Sequence, residues 1–159
     1  MYCAKCGASN DDRSQFCEKC GAALAGGAEY AGFRRRLLAS FIDTVLLSIP
    51  LVPLYVLFFW EPNMEDLLTF YAVGLILPWL YFAAMESSSR QATLGKMALR
   101  IVVTDAHGRR ISFGRATGRH FGKIVSGLIL DIGYLMIAFT QRKQGLHDIM
   151  AECLVVLKN

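Results

Sequence analysis

Two long apolar segments separated by six residues constrain this chain more than any other feature of its sequence. Residues 37–60 contain a single charge, Asp43, and residues 67–85 contain none. As a helix, the first segment would be about 36 Å long at 1.5 Å per residue, enough to cross a hydrocarbon core of about 30 Å. Two buried central helices of a soluble protein would also be apolar, but a chain of 159 residues is too short to cover both. The pattern therefore predicts a transmembrane hairpin.

The distribution of Lys and Arg predicts how this hairpin is oriented. Three arginines stand at positions 34–36, the 61–66 turn has no Lys or Arg, and residues 86–123 carry eight. Because cytoplasmic flanks of membrane spans are enriched in these residues, we expect the N-terminus and the 86–123 loop in the cytoplasm. No cleavable signal peptide is expected ahead of the first segment. The basic loop lacks interleaved aromatic residues, so we expect it to bind anionic lipid headgroups and not nucleic acid.

Four of the five cysteines form two Cys-x-x-Cys pairs, Cys3 with Cys6 and Cys17 with Cys20. This spacing lets both members of a pair reach one tetrahedral ion, so the two pairs predict a closed four-thiolate site for structural Zn²⁺. The alternatives are two disulfides or a redox-active pair, and a cytoplasmic location argues against disulfides. A module this small cannot fold on burial alone, so metal binding would supply its folding free energy.

A third apolar segment at 124–139 is interrupted by Asp131 and is shorter than an ordinary span. We expect a third helix over about 115–139 that either crosses the membrane or bends back. The residues at 99–104 and 153–157 are typical of strands, and 111–113 is an alternative partner for the first of them. Pairing of 99–104 with 153–157 would place the C-terminus in the cytoplasm, whereas a plain crossing would place it outside.

Small residues recur every four positions through the start of this region. If the stretch is helical, they favour close helix packing or self-association, and otherwise they indicate a glycine-rich loop. The series consists of Gly114, Gly118, Gly122 and Ser126.

Two charges fall on one face of the first helix. Arg36 and Asp43 are seven residues apart, which brings them within about 20° of each other at 100° per residue. Asp43 would lie about 10 Å deeper than Arg36, where an unpartnered carboxylate costs at least about 2.5–3.5 kcal/mol. We expect Asp43 to serve a functional site, to pair with Arg36, or to cap a neighbouring loop. Asp131 is expected to pair with Lys123 or to mark a bend.

Several short motifs then follow one another in a specific order. They are Gly32-Phe33, Arg36-Leu37-Leu38-Ala39, Ile42-Asp43, Thr93-Leu94-Gly95-Lys96, Gly114-Arg115-Ala116 and Gln144-Gly145-Leu146-His147-Asp148. Through them, residues 31–157 resemble the RDD family of small prokaryotic membrane proteins. The cysteine module is similar to the zinc ribbons at the N-termini of many bacterial and archaeal membrane proteins.

The resemblance implies roles for three residues and a location. Arg36, Asp43 and Asp148 would be the arginine and the two aspartates for which the family is named. Asp131 departs from the family pattern, which has a small or apolar residue there. His147, beside Asp148, is only weak evidence for a site on spacing alone. The resemblance further implies an inner-membrane protein of largely unassigned function, and transport has been proposed for family members.

Together these features predict a mainly α-helical, multi-pass membrane protein with an N-terminal zinc ribbon and a short cytoplasmic β element. We expect a zinc ribbon at 1–24, a linker at 25–30 and a membrane domain at 31–159. Its helices should run over about 37–60, 67–85 and 115–139.

Two classes of function fit this organisation. We expect a scaffold that tethers the zinc ribbon to the membrane so that it docks a cytoplasmic protein partner. The alternative is an oligomeric transporter for a cation, a proton or a small solute, using Arg36 and the buried Asp43. In either case we expect a homo-oligomer. Neither a zincin motif, a phosphate-binding Gly-rich lysine loop nor a nucleophile elbow occurs, so we do not expect an enzyme.

Overall fold

The computed structural model describes residues 1–12, 14, 16–22, 24, 29–59, 64–128 and 132–158. Its elements in chain order are α1 (Phe33–Phe59), α2 (Met64–Ser87), α3 (Leu94–Ala98), β1 (Ile101–Thr104), α4 (Phe113–Leu128), α5 (Ile132–Phe139), α6 (Leu146–Met150) and β2 (Leu154–Leu157). The predicted mainly helical fold with a small sheet is confirmed. Most of the predicted 25–30 linker, the first half of the 61–66 turn and Asp131 lie outside the described residues.

The helices α1 and α2 are the two membrane-length elements. Phe33–Val56 and Leu67–Ser87 are each long and apolar enough to span a bilayer. Only 11% and 6% of their most apolar windows are buried inside the protein. Nearly all of their apolar side chains therefore face outward, which suits hydrocarbon and not water.

The third apolar segment is bent. α4 ends at Leu128 and α5 begins at Ile132, and the two helix axes are 103° apart. α4 packs against the last turns of α2, where Trp79 Nε1 donates a hydrogen bond to Thr117 Oγ1 over 3.2 Å. Of the two alternatives for the third helix, the bent one matches this geometry.

A small sheet ties three distant parts of the chain together. β1 and β2 are antiparallel, with Ile101 opposite Leu157. The segment before α1 joins β2, because the Ala31 amide donates to the Val155 carbonyl over 2.8 Å. The alternative strand at 111–113 is wrong, since Phe113 opens α4. The residues ahead of α1, the chain after α2 and the last strand therefore lie on the same side of the helical hairpin.

A buried apolar cluster joins this sheet to the helix ends. Ile101, Val103 and Val155 of the sheet are fully buried. They pack with small residues of the helices and with the 111 and 153 positions, namely Ala39, Ala83, Ala116, Ile111 and Cys153. Alanines at these helical positions let the backbones approach the sheet closely, so the helix ends and the sheet form one packed unit.

Candidate functional site

The four cysteines of the N-terminal module converge on one point. The Sγ atoms of the four cysteines, Cys3, Cys6, Cys17 and Cys20, all lie within 4.8 Å of one another. The closest distances join the two Cys-x-x-Cys pairs: the Sγ atom of Cys3 is 3.6 Å from that of Cys20, and the Sγ atom of Cys6 is 3.6 Å from that of Cys17. A metal–sulfur bond of about 2.3 Å in a tetrahedron places sulfurs about 3.8 Å apart, whereas a disulfide would bring two sulfurs to about 2.05 Å. The predicted four-cysteine cluster is confirmed, and its spacing fits a metal site.

The backbone of each Cys-x-x-Cys pair is shaped to hold its sulfurs. Gly7 and Gly21 both have φ of +70°, a left-handed conformation that glycine adopts without strain. Their amides donate to the carbonyls of Cys3 and Cys17, each over 2.8 Å, which closes the two turns. The amide of Cys20 points at the Cys17 sulfur and lowers the pKa of that thiol to about 6. In the first turn the amides of Cys6 and Lys5 likewise lower the pKa of the Cys3 thiol, so each turn holds one cysteine whose thiolate form, the form that binds metal, is favoured.

Asp43 is fully buried and its carboxylate is held by neutral donors. Oδ1 accepts hydrogen bonds from the Tyr81 hydroxyl over 2.7 Å and from the Gly95 amide over 2.8 Å. Oδ2 accepts a hydrogen bond from the Thr93 hydroxyl over 2.5 Å. Thr93 is itself the N-cap of α3. Of the three alternatives for Asp43, the geometry matches the cap of a neighbouring loop.

The alternative in which Asp43 pairs with Arg36 is wrong. The Arg36 guanidinium turns away from Asp43 and pairs with Asp148. It also donates from Nε to the Ala31 carbonyl over 2.9 Å and from Nη2 to the Lys143 carbonyl over 2.5 Å. A shared helix face therefore did not decide the partner, since a residue 112 positions away offers the better-placed carboxylate.

A methyl group at Gly95 is predicted to disrupt the contact between α1 and α3. A Cβ there would collide with the Ala39 carbonyl oxygen and lie 2.9 Å from Asp43 Cγ. We expect Gly95→Ala to destabilise the protein by about 1–3 kcal/mol, the usual range for overpacking. The matched control is Gly74→Ala in α2, where a Cβ meets nothing within 4 Å. Thermal unfolding in detergent checks this, and equal melting temperatures for the two variants would contradict it.

A buried ion network is centred on Arg119 of α4. Its Nε donates to Asp148 Oδ1 and its Nη1 to Glu86 Oε2, each over 2.7 Å. The Arg119 side chain is 3% exposed, and both carboxylates are at most 1% exposed. Charges this deeply buried are stable only when paired, so the three residues hold α2, α4 and α6 in one arrangement.

The network continues at both ends. Arg36 of α1 pairs with Asp148, and Lys96 of α3 pairs with Glu86. Burial lowers the pKa of the Lys96 ammonium to about 7. Although burial opposes ionisation of Asp148, the guanidinium groups of Arg119 and Arg36 hold the pKa of its carboxyl well below its usual range. Five helices are thereby joined through alternating charges.

Sequence reasoning placed Arg36 and Asp148 in a site but missed Glu86 and Arg119. Glu86 is the first charge after the apolar segment at 67–85, and this position marks the membrane boundary. Arg119 was one of eight basic residues in a loop expected to be exposed. Its position three residues before the buried Gly122 is the signal that places it on the inner face of α4.

His147 fills the space between the network and the small residues of α4. It is 3% exposed, and its Nδ1 lies 3.3 Å from Ser126 Oγ. A Cβ at Gly122 would lie 3.2 Å from His147 Cα. The second half of the small-residue series therefore packs within the chain, whereas Gly114 and Gly118 are exposed.

His147 is predicted to make stability depend on pH. Burial lowers the pKa of its imidazole from 6.5 to about 3, so the unfolded chain binds a proton between these values that the folded chain does not. Stability should be constant above pH 6.5 in this respect and fall as the pH drops below it, by up to about 1.4 kcal/mol per pH unit. The free energy of unfolding is measured between pH 6.5 and about 5, because these values lie above the pH range in which the Asp148 carboxyl binds its proton. His147→Gln should flatten the slope, and an unchanged slope would contradict the assignment.

The metal site and the ion network are connected by the 140–145 loop. Arg142 Nη2 donates to the Glu18 carbonyl over 2.7 Å and to the Cys17 carbonyl over 3.4 Å. The next residue, Lys143, accepts the hydrogen bond from Arg36. A second contact comes from Phe16, which stacks on Tyr30 with ring centroids 4.3 Å apart. The cysteine module is therefore fixed against the membrane domain.

Comparison with known proteins agrees with both halves of this architecture. Residues 2–24 match the model of a zinc-ribbon domain, and residues 30–152 match the model of the RDD family. No solved structure is significantly similar to the chain.

Two relatives come from Bacillus subtilis (strain 168). The chain is 38% identical over 151 residues to the uncharacterized protein YxaI, an alignment covering 80% of this chain and 97% of the relative. It is 32% identical over 140 residues to the uncharacterized membrane protein YteJ, covering 80% of each. With the family model matching most of the chain, this protein belongs to the RDD family of membrane proteins and carries an N-terminal zinc-ribbon domain.

Proposed function

We propose that this protein is a membrane-tethered adaptor whose zinc ribbon docks a cytoplasmic protein partner. The observation that carries the proposal is the fixed position of the ribbon: Phe16 and Arg142 hold one side of it against the membrane domain. A ribbon held in this way has a defined orientation and presents one constant surface at the membrane.

The surface available to a partner is the first Cys-x-x-Cys turn. Arg142 contacts the second turn, at Cys17 and Glu18, whereas Lys5 and Cys6 of the first turn are exposed. Tyr2, next to this turn, is 79% exposed. An exposed tyrosine next to this turn is suited to a protein interface, because tyrosine offers a large apolar area and a polar tip.

The metal is assigned as zinc and the ribbon to the cytoplasm. Four thiolates and no open position are typical of structural zinc. The ribbon, the basic residues at 34–36 and the chain after α2 share one side of the hairpin, and Lys/Arg enrichment favours the cytoplasm for that side. Thiols remain reduced there, so they stay available to the metal.

Anionic lipid headgroups are the second partner that we assign to this side. Exposed arginines occur near the ends of the membrane helices, at 34, 35, 90 and 100. Each basic residue near an anionic leaflet contributes about 1 kcal/mol of attraction. This charge would hold the sheet and the ribbon close to the membrane surface. Homo-oligomerisation through the outward faces of α1 and α2 is compatible with this arrangement.

The geometry favours the adaptor over the transporter. Both oxygens of Asp43 are occupied by hydrogen-bond donors from the protein itself. A cavity of about 400 Å³ lies between α1 and α2, lined by residues such as Ser48, Tyr55 and Phe70, and neither Asp43 nor Arg36 lines it. These two residues are therefore better suited to stabilising the fold than to carrying a substrate.

The test is site-specific photo-crosslinking in native membranes. A photoreactive amino acid is placed at Tyr2, and the matched control carries it at Arg90, which is exposed on the same side of the hairpin. We expect a discrete protein adduct from position 2 that disappears in a Cys3→Ser/Cys6→Ser background, and no such adduct from position 90. Equal adducts at both positions, or adducts that persist without the cysteines, would contradict the proposal.

A second arm measures proton and cation flux in liposomes that contain the purified protein. The adaptor proposal predicts the same flux for wild type and Asp43→Asn as for empty liposomes. Flux that depends on Asp43 would replace the adaptor by the transporter. Insertion and yield of both proteins are measured alongside, because Asp43→Asn also alters the cap of α3.

A further inference from the structure

The helix α4 is inverted relative to a helix of a water-soluble protein. Its buried residues are small, polar or charged: Ala116, Arg119, Gly122 and Ser126. Its exposed residues include large apolar side chains: Phe113, Phe121, Ile124, Val125 and Leu128. In water the apolar stripe of a helix faces the core. An apolar stripe that faces outward, with the arginine inside, indicates hydrocarbon around the helix.

The same outward apolar face continues onto α5. Ile132, Leu135 and Phe139 are exposed, and the Phe139 side chain is 85% exposed. The inner side of α5 is narrow, since Gly133 packs directly on Ser126 of α4. The combined face is continuous with the outward side chains of α2, such as Leu80, which already belong to a membrane-length helix. The apolar environment that surrounds α2 therefore extends over α4 and α5.

Both ends of the α4–α5 unit are fixed on one side. β1 precedes α4 and β2 follows α6, and these two strands pair with each other from Ile101–Leu157 to Thr104–Leu154. A segment whose two ends are joined by a sheet cannot leave the membrane on the opposite side. The 103° angle between α4 and α5 turns the chain back toward the side from which α4 started, as the sheet requires.

The contact with α2 limits how deep the unit lies. α4 meets α2 between Trp79, which donates to Thr117, and Glu86, which pairs with Arg119. These two α2 residues are seven positions apart, or about 10 Å along a helix. One leaflet of hydrocarbon is about 15 Å thick, half of the full core. The contact region therefore fits within a single leaflet.

We propose that α4 and α5 form a re-entrant unit embedded in one leaflet, with its apolar face against phospholipid acyl chains, and that the protein crosses the bilayer twice. The inference is independent of the adaptor role. It explains why the buried ion network sits beside α4: the leaflet and the unit together exclude water from Glu86, Arg119 and Asp148. It also places the C-terminal strand on the same side as the zinc ribbon.

One test measures lipid contact directly. A fluorescent amino acid is introduced at Leu128 or Phe139, with Arg110, which is exposed and polar, as the matched control. The full-length, metal-loaded protein is reconstituted with phospholipids brominated along the acyl chain. We expect loss of most of the fluorescence at 128 and 139 and little loss at 110. Quenching at 128 and 139 no greater than at 110 would overturn the proposal, showing that water, protein or a second copy covers the face.

A second test distinguishes re-entry from a crossing. A split-fluorescent-protein strand is fused ahead of Met1 in one chain and after Asn159 in another. The complementary fragment is expressed in the cytoplasm. We expect both fusions to give the same response, because both ends lie on one side. Opposite responses would mean that α4 and α5 cross the membrane and would overturn the proposal whatever the outcome of the crosslinking experiment.

Discussion

Replacing Arg119 with alanine is expected to destabilise the folded protein by about 3–5 kcal/mol, the range for removing one partner of a buried ion pair. The side chain makes two hydrogen bonds of 2.7 Å, one to Glu86 and one to Asp148. Both carboxylates would remain buried, each with one fewer cation to balance it. Because a typical domain is stable by only about 5–15 kcal/mol, a loss of this size should also reduce the amount of protein in the membrane.

The matched control lies on the same helix. Arg115 pairs with Glu152 over 2.7 Å, the same distance, but its side chain is 42% exposed and that of its partner 76%. Water screens this pair, so Arg115→Ala should cost about 0–1 kcal/mol. The free energy of unfolding in mixed detergent micelles measures both variants. Similar losses for Arg115→Ala and Arg119→Ala would mean that burial of the network adds nothing.

A neutral replacement tests whether unpaired buried charge is the cause of the destabilisation in Arg119→Ala. When Arg119→Met is combined with Glu86→Gln and Lys96→Met, the buried negative charge on α2 disappears together with both of its buried cation partners, and Asp148 keeps Arg36. Buried pairs replaced by neutral groups of similar size often recover stability. We therefore expect the triple variant to be more stable than Arg119→Ala. A triple variant as unstable as the alanine variant would point to lost packing and not to unpaired charge.

Much of the fold follows from short-range sequence patterns. The lengths of the segments at 37–60 and 67–85 are sufficient to predict α1 and α2, since the thickness of the bilayer sets a minimum length for a span. Two Cys-x-x-Cys pairs are sufficient to predict the metal site, because ligand spacing is a local property. The family resemblance assigned a role to Asp148, for which its position beside His147 was only weak evidence.

The ion network could not be predicted in the same way. Arg36 and Asp43 share a helix face, yet Arg36 pairs with Asp148 and Asp43 caps α3 through Thr93 and Gly95. These choices depend on which helices pack together, and the partners are separated by 50 residues or more. The inner face of α4 could not be predicted from the sequence for a related reason. An inverted helix has the same periodicity as an ordinary one, and its orientation is decided by the surroundings.

Removal of the metal is expected to unfold the zinc ribbon while leaving the membrane domain folded. In peptides of this kind, structural zinc contributes about 10–16 kcal/mol of apparent binding free energy, which is then folding free energy. The buried side chains of the ribbon other than its cysteines are few, with Leu24 the main apolar one in the cysteine cluster. A chelator or Cys17→Ser should therefore release the metal and abolish hydrogen-exchange protection within residues 1–24.

Hydrogen exchange has defined reporters in this region. The Cys3 and Cys17 amides donate to the Ala8 and Ala22 carbonyls over 2.9 and 2.8 Å, and both bonds depend on the turns around the metal. In the membrane domain, the hydrogen bonds between β1 and β2 join residues outside the ribbon and should keep their protection. Metal content is measured on the same samples by mass spectrometry.

The fifth cysteine provides the control. Cys153 is fully buried, but it lies outside the cluster and its Sγ donates to the Ala151 carbonyl over 3.1 Å, a bond that a serine hydroxyl can also make. Cys153→Ser should therefore keep the metal and the protection of residues 1–24. If Cys17→Ser lost the metal but kept the protection of residues 1–24, the ribbon would be held by its contacts with the membrane domain, through Phe16 and Arg142. The rigid position of the ribbon would then depend on docking to the membrane domain, and metal loss would no longer be a route to releasing a bound partner.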